Sequence, residues 1–455
     1  MELDATDLFD RTTSSDNLAD IYYRKISTSL ARGRDGLDGY AVGESINSLC
    51  ERLSISLRSG SHTFTQYREN LISKGAGKPP RSISIPTVRD RIALRALAEY
   101  LVELYPWAKG TIPQHCIASV QSSLDRANHD SFVRLDVRDF FPTINHSLIS
   151  DRLLNDGVDP RAADLIERAI QTPTVADGAP RLGAAHFPTK GVPQGLAISN
   201  VLAELAVSPV DIAMRSAGEA TYIRFVDDIL ILCDTLDVNR LSEYCKKNLS
   251  DLGLVVHPED SQGKSATGPI AGGFDYLGYV FSKDSTSVRD SSVRRMESRL
   301  ARSFTEYRRQ VRRRPASEQA NQLKRCEWFL NLAITGCIYR GAARGWLQYF
   351  RQMDDQRLLK SLDLTIQRFQ SRFGMPDNFR PKKFMSAYWP IKHPRPDGRY
   401  IPNFDNYSVP QMREHLRTLT PLQVDELNEF QIMIAFRRNI DKAVSDLERD
   451  IGFVS

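Results

Sequence analysis

Three aspartates lie in or next to two apolar segments that read as β-strands. Asp136 is the penultimate residue of the segment FVRLDV, and Asp227 and Asp228 are adjacent in YIRFVDDILIL. Neighbouring carboxylates buried in such segments cost several kcal/mol unless a cation compensates them. A pair of Mg²⁺ ions supplies that charge, and it can activate a hydroxyl and stabilise a pyrophosphate leaving group. The aspartates therefore predict a two-metal site, against the alternatives of a polar hairpin tip and a strand-end or helix-capping role.

A sheet must position these aspartates, and the surrounding sequence alternates strand-like and helix-like segments. Strand patterns occur in FVRLDV, YIRFVDDILILC, LGLVVH and GFDYLGYVF, and helix patterns lie near 147–155, 196–215 and 236–252. Earlier in the chain, an alternating strand at 82–85 precedes a helix pattern in RDRIALRALAEYLVELY. This order predicts an α+β fold in which helices cover a sheet.

Five motifs, in the same order, resemble those of reverse transcriptases. KGAGKPPRSISIPTVRDRI matches the fingers signature, LDVRDFF motif A, KGVPQGLAISN motif B, FVDD motif C and FDYLGYVF the palm-to-thumb grip. Together they cover about 64–281 of the 455 residues. The resemblance implies an α+β right-hand polymerase with fingers, palm, a mostly helical thumb and a C-terminal extension. It also implies a nucleotidyltransferase that synthesises DNA on an RNA or DNA template.

Carried over by position, the resemblance makes Asp136, Asp227 and Asp228 the catalytic carboxylates. The same side chains and the backbone carbonyl of Val137 would bind two Mg²⁺ ions, with Mn²⁺ as the substitute ion. Asp228 would bind metal less directly than the other two aspartates.

The resemblance also implies a nucleotide site. Phe141 in motif A matches the steric gate, whose ring excludes a 2′-hydroxyl and so favours dNTPs. Lys74 and Arg81 match the basic pair that grips the triphosphate. Gln194 and Gly195 match the residues that pack beside the nascent base pair. An ordinary core aromatic at Phe141 and a solvated surface turn at Lys74 and Arg81 are the alternatives.

The sequence departs from the family in two motifs. FVDD has Phe225 where most relatives have tyrosine, which removes a hydroxyl near the primer end. Asp260 and Ser261 stand where motif D normally carries a lysine that protonates the pyrophosphate. His257 and Lys264 are the candidate substitutes as general acid, but the pattern favours a plain loop over either role.

Ten arginines and three acidic residues occupy 289–314, in a sequence suited to a helix. Because the family's thumb begins after the grip motif, this helix is predicted to track the phosphates of a template-primer duplex. The predicted contacts are Arg294, Arg295, Arg302 and Arg309, and a solvated helical face is the alternative. The basic and aromatic segment FRPKKFMSAYWPIKHPRPDGRY reads equally as a clamp for unpaired RNA and as a strap packed on the thumb.

The chain is predicted to have four parts: an N-terminal extension at 1–62, fingers and palm at 63–285, a helical thumb at 286–373 and a C-terminal extension at 374–455. A Pro-rich segment at 375–410 is expected to hold no regular helix. Thr420, Pro421 and Gln423 predict a capping box that starts a final helical region toward Asp450.

Composition fits a soluble globular protein, with 41% hydrophobic and 26% charged residues. The net charge of +5 is too small to prove a nucleic-acid partner. Six cysteines lack zinc-type spacing and read as reduced thiols. The N-terminus is acidic, and no run of about 18 apolar residues occurs. We therefore expect a cytoplasmic protein without a membrane span.

The type of reverse transcriptase is inferred by exclusion. The C-terminal region shows no zinc-type or HNH-like cluster, which argues against a mobile-intron enzyme, and no RNase H set of acids is evident, which argues against a retroviral polymerase. The retron motif NAxxH is absent, and Ile334-Thr335-Gly336 is only similar to the VTG of the retron thumb. What remains resembles compact bacterial enzymes of the unassigned and abortive-infection groups, many of which act in phage defence. The resemblance implies copying of a bound, cognate non-coding RNA into DNA from dNTPs, with a second copy or an accessory defence protein as partner.

Three alternatives stay open. The first is template-independent or protein-primed nucleotide addition of the abortive-infection type. The second is a retron-like or group II intron-like reverse transcriptase. The third is an RNA-binding scaffold with a vestigial palm, against which the three intact aspartates argue.

Overall fold

A computed structural model describes residues 4–73, 79–126, 128–180, 183, 187–218, 220–259, 264–283, 285–315, 318–394, 398–420 and 422–451. The chain folds as two units. One is Met1–Ile112 with Ser131–Thr267, and the other is Pro113–Asp130 with Gly268–Ser455. The four-part division of the chain stays a prediction. Within the described ranges, every helix is too short or too polar to cross a bilayer.

The elements of the first half of the chain are α1 (Ala5–Thr12), α2 (Ser15–Ile21), α3 (Ile46–Arg58), β1 (Tyr67–Ile72), β2 (Arg81–Ile85), α4 (Val88–Leu104), α5 (Pro113–Asp125), β3 (Ser131–Asp136), α6 (Phe140–Thr143), α7 (His146–Asn155), α8 (Pro160–Gln171), β4 (Thr174–Val175), α9 (Ser199–Arg215), β5 (Thr221–Phe225) and β6 (Asp228–Cys233). They continue with α10 (Val238–Asp251), β7 (Ala266–Pro269), β8 (Phe274–Tyr276), β9 (Tyr279–Phe281), β10 (Thr286–Val288), α11 (Asp290–Arg313), α12 (Gln319–Thr335), β11 (Cys337–Tyr339), β12 (Ala342–Arg344), α13 (Trp346–Tyr349), α14 (Gln356–Phe373), α15 (Phe384–Lys392), α16 (Val409–Leu419) and α17 (Glu429–Ile451).

Four strands in the order β5-β6-β3-β7 form the sheet that carries the aspartates. β3 and β6 pair antiparallel, so that Val133 lies opposite Ile231 and Asp136 opposite Asp228. Every residue of β3 is buried, and so is every residue of β6 after Asp228. Strands buried on both faces read as continuous apolar runs rather than as alternating patterns. This explains why both strands could be recognised in the sequence.

A second sheet, in the order β2-β1-β4, belongs to the same unit. α4 follows β2 directly, and the hydroxyl of Thr87 accepts a hydrogen bond of 3.3 Å from the N–H of Asp90 at the helix start. α1, α2, α8 and α9 pack around α4, which is therefore buried along most of its length. The helices of the predicted N-terminal extension thus share one hydrophobic core with the segment predicted as fingers and palm.

The second unit contains the predicted thumb and C-terminal extension. β8, β9 and β10 form an antiparallel sheet that leads into α11. Phe304 of α11 packs among Phe369, Phe373 and Phe379, with ring centroids 5.6 to 6.1 Å apart. α17 packs on α11, α13 and α16 and helps to form another core around Phe436.

The expectation that 375–410 holds no helix is wrong. α15 lies in this segment and contains Pro390. A proline costs a helix the hydrogen bond to the carbonyl four residues earlier. α15 forms despite this loss because Phe384 and Tyr388 are buried and hold the helix in place.

The predicted capping box is also misplaced. Ser408 and Gln411 form the capping box that starts α16, whereas Thr420 ends that helix and α17 begins only at Glu429. Both positions fit the same local pattern, so burial decides between them. α16 buries three residues of its last two turns, His415, Leu416 and Leu419.

LGLVVH does not form the predicted strand. In this segment Val256 makes only an isolated bridge to Val137. The fourth strand of the central sheet is β7, about ten residues later, beside β3.

Candidate active site

The three predicted catalytic aspartates lie together at one edge of the central sheet. Asp136 is the last residue of β3 and stands opposite Asp228, the first residue of β6. Asp227 lies in the turn between β5 and β6, and its carbonyl accepts a hydrogen bond of 3.1 Å from the N–H of Val137. Val226 in the same turn has φ +55°, a left-handed conformation that β-branched residues rarely adopt. The antiparallel register thus brings the carboxylates together.

Burial makes two of these carboxylates hard to ionise. Burial, followed by the charge of Asp136, raises the pKa of Asp227 to about 6. Burial, followed by the charges of Asp227 and Asp136, raises the pKa of Asp228 to about 7. Oδ1 of Asp227 is buried and finds no hydrogen-bond donor among the described residues. Such an acceptor is rare in folded proteins and offers a lone pair to a cation or a donor.

Asp136 is held by two basic side chains from the segment after α10. Lys264 Nζ lies 3.0 Å from Oδ1 and 2.8 Å from Oδ2 of Asp136. His257 Nε2 lies 3.4 Å from Oδ1, and the backbone N–H of His257 donates to the Asp136 carbonyl at 2.8 Å. Burial lowers the pKa of His257 below its ordinary value, although Asp136 opposes the shift. The choice between a plain loop and a general-acid role for His257 and Lys264 stays a prediction, and both side chains of this loop contact Asp136. Asp260 and Ser261 lie outside the described residues.

The carboxylates fit a hard divalent cation in donor chemistry. Oxygen ligands are those that magnesium prefers, and the orphaned Oδ1 of Asp227 offers one. Among the described residues, no three His, Cys, Asp or Glu side chains already form a metal cluster. The carboxylate of Asp136 faces Lys264 instead, so metal binding at all three aspartates requires this ion pair to open. Val137 is buried, and its carbonyl as a ligand stays a prediction.

Residues 72–281 match the family described as reverse transcriptase (RNA-dependent DNA polymerase). The match covers slightly less than half of the chain and identifies this part of it as a reverse transcriptase domain. A domain of this family is an RNA-directed DNA polymerase, a nucleotidyltransferase, and the described residues combine helix and sheet. Domains of this family use divalent metal ions. No curated protein matches the sequence.

Solved structures that resemble the chain include two telomerases. One is the apo telomerase of Candida tropicalis, truncated from its C-terminal domain, with 11% identity and a TM-score of 0.39, matched over 53% of this chain and 60% of that one. The other is the telomerase of Candida albicans in complex with a TWJ fragment of telomeric RNA, with 13% identity and a TM-score of 0.43, matched over 90% of this chain and 68% of that one. The chain thus covers less than two thirds of the first of these structures.

The predicted nucleotide-site residues that the structure describes lie on β2, on α6 and in the loop before α9. Arg81 begins β2, and its positive charge partly opposes the rise in the pKa of Asp227 that burial causes. Phe141 lies in α6 and packs against the core, and its carbonyl accepts a hydrogen bond of 2.8 Å from the N–H of Val192. Lys74 lies outside the described residues.

Motif B is bonded directly to the fingers strand β2. The N–H of Ser84 donates to the carbonyl of Gln194 at 2.7 Å. Gly195 has φ +103°, and a Cβ there would lie 2.8 Å from Cγ2 of Ile83. Gly195 is therefore required for the close approach of this loop to β2. The resemblance had explained this glycine only by its place beside the nascent base pair.

The predicted phosphate contacts of the thumb do not all face solvent. Arg294, Arg302 and Arg309 are exposed on α11, and Arg309 pairs with Glu306. Arg295 donates to the carbonyl of Ile451 on α17 at 3.3 Å and is partly buried. Its predicted role in nucleic-acid binding is thus combined with a packing contact.

The basic and aromatic segment after α14 packs largely as a strap. Phe384 and Tyr388 are buried, and Lys382 Nζ lies 4.8 Å above the ring of Tyr400. Trp389 is the exception, with 63% of its surface exposed, and its ring lies 4.2 Å from that of His393.

Two features of the site were missed in the sequence. One is the contact of Lys264 with Asp136, which joins positions 128 residues apart. The other is Arg224, a buried cation two residues before Val226. A charged residue inside the apolar run YIRFVDDILIL was the available signal, because such a residue is seldom buried without a partner.

Proposed function

We propose that the protein copies a bound RNA into DNA by two-metal nucleotidyl transfer. The observation that carries this proposal is the convergence of Asp136, Asp227 and Asp228 at one sheet edge, with Oδ1 of Asp227 buried and without a donor among the described residues. These carboxylates, with the carbonyl of Val137, would hold two Mg²⁺ or Mn²⁺ ions. When bound, such ions activate the primer hydroxyl and stabilise the pyrophosphate leaving group.

The other residues of the domain would bind and select the nucleotide. Arg81, close enough to act on Asp227, presents a planar fork of donors suited to triphosphate oxygens. Phe141 would exclude a ribose 2′-hydroxyl and so select dNTPs. Gln194 and Gly195 would border the nascent base pair from the loop that is bonded to β2.

We assign the protein to bacterial antiviral defence, with a cognate non-coding RNA as its template. The motif set supports this assignment because it resembles that of compact defence-associated reverse transcriptases. The exposed arginines of α11 support RNA and DNA as partners, since arginines on one helix face suit a phosphate backbone. A cytoplasmic location, and a second copy or an accessory protein as partner, belong to the same proposal.

Phe225 favours one second candidate, template-independent or protein-primed nucleotide addition. A phenylalanine at this position lacks the hydroxyl that most relatives place near the primer end. The first candidate requires the DNA product to mirror the bound RNA, and the second does not.

The test is to purify the protein with its native RNA, add Mg²⁺ and labelled dNTPs, and sequence both the RNA and any DNA. We expect DNA complementary to the RNA from the wild type and none from Asp227→Ala/Asp228→Ala. Asp251→Ala, which changes an exposed carboxylate at the end of α10, is the matched control and should stay active. Equal incorporation by the wild type and the double variant would overturn the catalytic assignment. DNA unrelated to the RNA would favour the second candidate, and RNA binding without any incorporation would favour a scaffold.

A further inference from the structure

A buried arginine links motif C to the helix after motif B. The side chain of Arg224, the penultimate residue of β5, is 5% exposed. Its Nε and Nη2 donate to the two oxygens of Asp211 at 2.7 and 2.6 Å, and its Nη1 and Nη2 donate to those of Glu204 at 3.2 and 2.6 Å. Asp211 and Glu204 stand seven residues, about two turns, apart on α9 and so share one face. The guanidinium therefore forms a fork to each acid, the strongest kind of ionic hydrogen bonding.

The same guanidinium holds the turn that carries Asp227. Its Nη1 also donates to the carbonyl of Val226 at 3.1 Å, so all five N–H donors of Arg224 are engaged. Val226 has φ +55°, which is strained for a β-branched residue and persists only where neighbouring groups enforce it. Val226 directly precedes Asp227, so the hydrogen bond acts next to a predicted metal ligand.

The Val226 side chain packs against the core, but another side of the turn borders a cavity. This cavity has a volume of about 350 Å³ and is lined in part by Trp107, Glu204, Arg224, Phe225 and Val226. A side of the turn that borders empty space gains little from van der Waals contact. The hydrogen bond from Arg224 is therefore the contact that fixes the Val226 carbonyl there.

We infer that Arg224 is a positioning residue that sets the place of Asp227 relative to α9. This inference rests on the proposed function, because it assigns a purpose to the turn of that site. A lysine has three donors on a flexible stem and cannot make both forks and the Val226 bond together. Loss of Arg224 would let the strained turn relax and displace the Asp227 carboxylate, and a displacement of about 1 Å costs on the order of 100-fold in rate.

The test compares Arg224→Lys, Arg224→Met and Glu204→Gln with the wild type. For both Arg224 variants we expect the rate per active site to fall by ~10- to 100-fold. We also expect a several-fold rise in the Mn²⁺ concentration that half-saturates binding, measured without substrate from the free-ion EPR signal. The KM for dNTP should change little, because the triphosphate contacts stay in place. Glu204→Gln keeps a hydrogen-bonding partner for Arg224, so it should lower the melting temperature while leaving Mn²⁺ binding close to that of the wild type.

The readouts separate positioning from a purely structural role. If Arg224 only stabilised the fold, its variants would lose melting temperature and active fraction but would bind Mn²⁺ and turn over normally per active site. That result, obtained with Asp227→Ala inactive, would overturn the inference and leave the proposed function intact. An active Asp227→Ala would instead overturn the proposed function. Arg224→Lys keeps the charge and is the informative variant if Arg224→Met fails to fold.

Discussion

The ammonium group of Lys264 lies 2.8 and 3.0 Å from the two carboxylate oxygens of Asp136. Both oxygens are thus engaged by a cation of the protein itself. The charge that Asp136 would offer to a divalent ion is already compensated, and Lys264 and the ion compete for the same carboxylate. Lys264 therefore supplies a basic residue to this site from a position a few residues after the one predicted for the motif D lysine.

Lys264→Gln should make divalent ions bind more tightly. The side chain of Lys264 is 38% exposed, and an ion pair of this kind contributes on the order of 1 kcal/mol, which corresponds to a shift of a few-fold in ion affinity. In EDTA the variant should melt at a lower temperature, because Asp136 loses its partner. Added Mg²⁺ should raise its melting temperature more than that of the wild type. Thermal unfolding across a Mg²⁺ titration measures both effects.

Lys247→Gln removes an exposed lysine of the same unit and serves as the control for net charge. Competition would be refuted by an unchanged Mg²⁺ dependence in Lys264→Gln. Loss of incorporation at unchanged ion affinity would instead assign Lys264 to proton transfer.

Phe141→Ala should weaken the choice of deoxyribose over ribose. Phe141 is partly buried against the core, and its backbone is fixed by the bond to Val192. Removing the ring opens space for a 2′-hydroxyl, and size selection of this kind is worth on the order of 10- to 100-fold. We expect the ratio of NTP to dNTP incorporation efficiency to rise by this amount. Phe141→Tyr keeps the ring and should keep the selection for deoxyribose. Equal incorporation ratios in the wild type and Phe141→Ala would show that Phe141 does not act as a steric gate.

The strands that carry the site could be predicted because burial of both faces leaves a nearly continuous apolar run, interrupted only by the aspartates and by Arg134 and Arg224. The order of the motifs then placed Asp136 near Asp227 without any knowledge of register. Contacts between residues far apart in the sequence could not be predicted in this way. Lys264 meets Asp136 across 128 residues, and Arg224 meets Glu204 across 20, so neither pair has a local pattern.

The prediction of helix boundaries was wrong where two local capping patterns competed. Ser408 with Gln411 and Thr420 with Gln423 have the same spacing, and each stands beside a proline. The first pair directly precedes α16, whereas the second is followed by a short turn at Val424–Glu426 before α17 begins at Glu429. Capping patterns state where a helix is able to start, and tertiary packing selects among them.

Arg302→Gln and Arg294→Gln should reduce the salt dependence of RNA binding. Both arginines are exposed on α11, where an arginine that neutralises a phosphate releases a counterion. Each lost contact should lower the slope of log K against log salt by about 0.7 to 0.9. Fluorescence anisotropy with a labelled RNA at several salt concentrations measures the slope.

Arg299→Gln is the matched control for this helix. Arg299 donates to the carbonyl of Asp446 on α17, and burial lowers its pKa to about 10. Its replacement should lower the melting temperature and leave the slope unchanged. If Arg299→Gln changed the slope as much as Arg302→Gln, the division of α11 into a packing side and a phosphate side would be wrong.

His415 should make the stability of the second unit depend on pH. Its ring lies 5.0 Å from Trp328 and 4.9 Å from Phe436, and its Nε2 lies 3.0 Å from Oδ1 of Asn439. Burial lowers the pKa of His415 below its ordinary value, only partly opposed by Asn439. The unfolded chain therefore takes up a proton more readily than the folded one, so stability is complete above the ordinary pKa of about 6.5 and falls as pH drops below it.

His415→Gln keeps a donor for Asn439 and removes the titration. We expect this variant to melt below the wild type at pH 7.5, because the amide fills the aromatic site less well, and to lose less melting temperature than the wild type between pH 7.5 and 5.5. Other groups titrate in both proteins, so the difference between the two curves isolates the imidazole. His393→Gln, which changes an exposed histidine, should retain the wild-type slope. Parallel curves for His415→Gln and the wild type would mean that His415 stays as easily protonated in the folded protein as in the unfolded chain.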